Sequence, residues 1–143
     1  MMLMRVALLA LGIALAVPAS AADLTVSDGW IRFLPAGVPA GGYFNLHNAA
    51  AKPAYLTGAT APAYGEVMLH KTMTMDGMSK MEAVEKVEVP PHGELRFAPG
   101  GYHLMLMAPK RKIAPGDRIP VTLQFSDGQR VTAEFSVRGP TGK

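Results

Sequence analysis

The 143-residue chain has no cysteine. That excludes a disulfide-stapled scaffold and any thiolate ligand, including the two-His-plus-Cys site of blue-copper electron transfer. Long apolar runs are also scarce. The stretch from Val6 to Val17 is twelve residues, short of the roughly 20 that span a bilayer. Charge of one sign is scarce too: 14 Lys+Arg face 11 Asp+Glu, too even a balance to argue for nucleic acid. Only Lys110-Arg111-Lys112 cluster. They read as a solvated loop, with a docking patch for an acidic partner as the weaker alternative. Aromatics are few, with a single Trp. No internal repeat, low-complexity segment or convincing amphipathic helix stands out.

The first residues read as an export signal. Met1 to Arg5 is a short n-region with one positive charge, Val6 to Val17 is apolar, and Pro18 to Ala22 offers small residues for cleavage. Cleavage is expected after Ala21, with Ala22 as the alternative, placing the protein in the periplasm. A lipoprotein would need a cysteine at that point. The division is then a cleaved signal peptide over 1–21 and a single domain over 22–143. Arg5 leaves with the signal, so the mature net charge falls from +3 to about +2. No membrane partner remains after cleavage, and a monomer is expected.

Short alternating segments follow, bounded by Gly, Pro and Asp. Asp23–Leu34, Gly41–Asn48, Ala54–Ala59, Val84–Val89, Glu94–Phe97, Ile119–Phe125 and Arg130–Val137 read as strands. With the segments around His70 and His103 they make about nine. The fold class is all-β, an antiparallel sandwich or barrel. Trp30 is expected in the core, as large aromatics dominate small β cores.

The richest stretch runs from His70 to Met105. Met81 stands eleven positions after His70, and His103 and Met105 form a His-x-Met pair. Asp76-Gly77 is a strong type I′ hairpin signal, since both central residues need φ > 0. That turn pairs Met75 with Met78 and His70 with Ala83, and sets Met81 diagonal to His70 on one face. His103 and Met105 share a face of their strand, with Tyr102, Leu104 and Leu106 on the other. Two imidazoles and two thioethers, without a carboxylate, suit Cu(I). Met68 shares the face of His70 and is the best candidate for an extra sulfur. Met107 reads as packing behind the site, and Met73, Met75 and Met78 as core or tip residues. His47 and His92 read as surface residues.

His70, ten residues, Met81, twenty-one residues, then His103-x-Met105 resembles the motif of the periplasmic PCu(A)C copper chaperones. Glu66 to His70, Pro99 to Met107 and Asp28 to Arg32 are similar to that family as well. Lys71 departs from it, because the residue after the first His is often Met. The chain also ends without a His/Met-rich tail, so no second metal site on such a tail is expected. The resemblance implies a cupredoxin-like fold and one Cu(I) held by His70, Met81, His103 and Met105. It further implies delivery to the CuA centre of cytochrome c oxidase subunit II, with a Sco-type thiol protein as a further partner. A buffering or tolerance protein with the same site and no dedicated recipient is the alternative. An enzyme is not expected, as no nucleophile–base motif is seen. A plain β assembly module would bind no copper and would tolerate loss of His103.

Overall fold

A computed structural model describes residues 23–143, together with the backbone of Ser20–Ala21. The rest of the expected signal peptide lies outside the described residues. The strands are β1 (Ser20–Ala21), β2 (Leu24–Arg32), β3 (Ala40–Asn48), β4 (Ala54–Thr60), β5 (Tyr64–Met75), β6 (Met78–Ala83), β7 (Val87–Val89), β8 (Gly93–Phe97), β9 (Tyr102–Pro109), β10 (Arg118–Phe125) and β11 (Arg130–Arg138). Alternation builds them. In β10, Ile119, Val121, Leu123 and Phe125 are buried while Arg118 and Pro120 are exposed. Burying each large apolar side chain contributes about 1.5–3 kcal/mol. Phe44, Phe97 and Phe135 form the aromatic centre of the core, with Phe44 4.4 Å from Phe97 and 5.8 Å from Phe135 between ring centroids.

The strand order is β6-β5-β9-β3-β2-β11-β10-β4-β7, with β8 also on β3 and β1 on β2. All these pairings are antiparallel except β2–β11, which is parallel. The sheet is therefore mixed, though mostly antiparallel. The exception joins two strands far apart in the chain, so no tight turn dictates their direction. Ten strands lie between Leu24 and Arg138, close to the expected nine. The segment expected as one strand over 84–89 is shorter, because β6 runs on to Ala83 and only Val87–Val89 pairs with β4.

Trp30 is a correction. It is half-buried, outside the core. The β2–β3 register shifts between Ser27 and Trp30, and Asp28 has φ 54°. This bulge swaps the faces of the strand. Val26 and Ile31 point inward, and Trp30 is turned out. Gly29 is needed there, since a Cβ on it would lie 2.6 Å from the Phe135 ring.

Two strands share β3 in succession. Its first part, Ala40 to Gly42, pairs with β9. Its second, Phe44 to Asn48, pairs with β8. The corner between β8 and β9 closes through Gly101 N–H donating to the Ala98 carbonyl at 3.0 Å, with Gly100 at φ 87°. This corner delivers the chain directly into His103.

Candidate metal centre

The β5–β6 hairpin has the expected turn. Asp76 and Gly77 have φ of 51° and 75°, as type I′ requires. Met75 pairs with Met78, Thr72 with Met81 and His70 with Ala83. On its other side β5 pairs with β9, setting His70 opposite His103 and Met68 opposite Met105. Directly paired residues share a sheet face. His70, Met81, His103, Met105 and Met68 therefore all face the same side. Leu69, Leu104 and Leu106 are buried on the other side and back the ligand strands with core. Gly41 lies opposite Met105, and the Tyr43 hydroxyl sits 2.7 Å from where a Cβ would be. The missing side chain makes room for Tyr43 beside the site.

The His70 and His103 rings have centroids 5.7 Å apart and planes tilted by 55°. Both ring nitrogens of His70, and Nε2 of His103, are buried without a hydrogen-bond partner among the described residues. Such orphaned groups are expensive in a folded protein. His103 Nδ1 lies 3.3 Å from the Gly101 carbonyl oxygen. Nδ1–H donated to that oxygen leaves the Nε2 lone pair free, the arrangement a metal-binding histidine uses. Burial holds the His70 imidazole below its ordinary pKa, and nearby His103 pushes the same way. A ring kept neutral is ready to coordinate.

Met81, His103, Met105 and Thr72 line one side of a cavity of about 210 Å³, with Arg32 and Tyr43 among its other walls. His70 does not line this cavity; it stands against His103 instead. The donors differ widely in exposure, from 5% for His103 to 58% for Met81. Among the described residues, no group of three His, Cys, Asp or Glu could hold a metal. Imidazoles with thioethers beside them make a donor set that suits a soft cation.

Other histidines and methionines lie elsewhere. His47 is exposed, with Nδ1 3.8 Å from the Glu94 carboxylate, and His92 sits exposed in a turn at φ 49°. Met107 faces a separate, mostly apolar cavity of about 270 Å³ beside Phe33 and Val38.

Sequence reasoning missed Arg32 and Tyr43. The Tyr43 ring packs on Trp30 at 4.7 Å. The Arg32 guanidinium lies 5.4 Å from the Trp30 ring and 5.5 Å from the Tyr43 ring. The available signal was the two-residue spacing Trp30-x-Arg32, which puts both on one face once the bulge is allowed for.

Comparison with known proteins accords with this architecture. The sequence profile described as "Putative lipoprotein LpqE-like" matches residues 24–137. "Putative lipoprotein Lxx21020" of Leifsonia xyli subsp. xyli is 35% identical over 139 residues, covering 92% of this chain and 83% of that protein. The uncharacterized protein RP573 of Rickettsia prowazekii is 30% identical over 96 residues, covering 66% of this chain and about half (53%) of its own length. Among solved structures, the copper-bound PCuAC domain of PmoF2 superposes with a TM-score of 0.70 at 23% identity, covering 87% of this chain and 100% of that domain. The Cu(I) form of DR1885 from Deinococcus radiodurans gives 0.63 at 28% identity, covering 87% and 81%. The fold is thus that of PCuAC domains, and the chain belongs to the LpqE-like family.

Proposed function

We propose that this protein is an exported, periplasmic carrier of one Cu(I), held by His70, Met81, His103 and Met105. The observation that carries the reading is the pair of imidazoles set opposite each other, with three buried ring nitrogens that no described protein group satisfies. The thioethers of Met81 and Met105 beside His103 supply the soft donors. Structures of similar fold have been determined with copper, and one of them with Cu(I).

The donor set suits transport and not catalysis. Two neutral imidazoles and two thioethers leave the bound ion its single positive charge, so no protein anion locks it in place. Release needs only ligand exchange with a partner's thiolates. The CuA centre of cytochrome c oxidase subunit II is the recipient this reading favours, with a Sco-type thiol protein as its associate. The support for that recipient is the resemblance of the four-residue motif.

An anaerobic titration of the mature chain with Cu(I), against a chromophoric chelator, tests the site. One equivalent should bind to the wild type and much more weakly to both Met81→Ala and His103→Ala. Binding unchanged in both variants would place the copper elsewhere. Incubation of the loaded protein with an apo CuA domain then tests the recipient: transfer faster than to free chelator supports delivery, and equal rates reduce the protein to a copper buffer.

A further inference from the structure

The β5–β6 ribbon has a second face. Met73, Met75 and Met78 lie on it, opposite the side that carries His70 and Met81. Met75 is directly paired with Met78, and Met73 is two residues from Met75 on the same strand. Side chains so placed approach within about 5–8 Å at Cβ, a gap that flexible thioethers close.

Their exposure is the anomaly. Met75 is 65% and Met78 74% exposed. Met is ordinarily a core filler, and a core or tip role is the expectation for all three. Met73, nearer the sheet, is half-buried, and every residue of β6 is exposed. The two cations on the same face are already engaged. Lys71 Nζ lies 5.3 Å from the Tyr102 ring centroid, and Lys80 Nζ is 3.8 Å from the Glu82 carboxylate. Asp76 adds a carboxylate at the turn. The local field is therefore not hostile to a single positive charge.

We infer that Met73, Met75 and Met78 form a second, weaker site for a soft monovalent cation, Cu(I) or Ag(I), on the outer face of the ribbon. A donor set of thioethers alone binds such ions and discriminates against Zn(II) and Cu(II). The inference uses none of the four ligands proposed above and stands or falls separately from them. The two sites share one ribbon, with Met81 projecting from its front and the three-Met cluster from its back.

The test is a titration of the mature chain, carrying ¹³C-labelled Met methyl groups, followed by NMR. Ag(I) serves as the redox-inert probe and Cu(I) under anaerobic conditions as the second. The Met81 and Met105 methyl signals should move with the first equivalent, and those of Met73, Met75 and Met78 with the second. In Met75→Leu/Met78→Leu the second step should vanish while the first is kept; these exposed positions tolerate leucine without touching the core. Absence of a second step in the wild type, its survival in the double variant, or an equal response to Zn(II) would each overturn the inference. If the three ribbon methyls moved and Met81 and Met105 stayed silent, the ribbon site would stand and the carrier site would fall.

Discussion

His70 and His103 face each other across β5 and β9, with ring centroids 5.7 Å apart. His103 Nδ1 is anchored to the Gly101 carbonyl, whereas both nitrogens of His70 lack a hydrogen-bond partner among the described residues. One imidazole is thus oriented by the corner before β9, and the other is held by burial alone.

That difference sets a pH dependence. The folded pKa of His70 is lowered, chiefly by desolvation. Protons therefore compete for this ring only below its ordinary value near 6.5. Cu(I) affinity should hold between about pH 7.5 and 6.5 and decline beneath, as protons compete for the His70 imidazole. Competition titrations across pH 4.5–7.5 should show the decline, and a flat profile down to the acid end would rule out histidine ligation. Stability of the metal-free protein has the same sign. The unfolded chain binds the extra proton first, so this contribution is complete above about pH 6.5 and is lost as pH falls through the lowered pKa.

The hairpin turn should matter for binding more than for folding. Gly77 has φ 75°, and an added Cβ there would meet nothing within 4 Å. Gly77→Ala is thus a purely conformational perturbation, worth roughly 1–2 kcal/mol. It falls on a ribbon whose outer strand is fully exposed. Cu(I) affinity should drop as Met81 loses its place, and the thermal midpoint should fall by a few degrees. Asp76→Asn, compatible with the same turn, should leave both unchanged.

Arg32 should bias the oxidation state. It lines the cavity together with His103 and Met105, and its Nε is buried without a hydrogen-bond partner among the described residues. A fixed positive charge repels Cu(II) twice as strongly as Cu(I) at the same place. Arg32→Gln should therefore strengthen Cu(II) binding more than Cu(I) binding and lower the copper reduction potential. Electrochemistry on the loaded protein reads the shift, and a potential that rises would contradict it. Trp30 emission should change as well, because the guanidinium packs against that ring.

Asn48 is a structural counterpart at the far end of β3. Its amide donates to the Lys52 and Val89 carbonyls, and its oxygen accepts from Ala50 N–H. Asn48→Ala leaves buried backbone groups unpaired and should cost about 1–3 kcal/mol. Denaturant titration should show the loss, with Cu(I) stoichiometry unaltered in the folded fraction.

Local rules made much of this legible in advance. Asp76-Gly77 fixed the hairpin register because only one turn type suits that pair, and the register put Met81 on the face of His70. His103-x-Met105 needed only the two-residue period of a strand. What escaped depends on contacts distant in sequence. The bulge at Asp28–Gly29 reverses the side on which Trp30 emerges, and there Gly29 lies against the Phe135 ring, more than a hundred residues away. The parallel β2–β11 pairing has no turn to announce it. Arg32 and Tyr43 join the cavity only once Trp30 is turned outward.

The exposure of Met81 gives the proposed site a front and a back. His103 is almost sealed and Met81 lies open on an outer strand, so an approaching thiolate reaches an ion there by displacing the sulfur before either ring. Unloading would then follow a fixed sequence, with the histidine pair retaining the ion until the incoming protein has already formed its first bond. Between partners the ion would not pass through water.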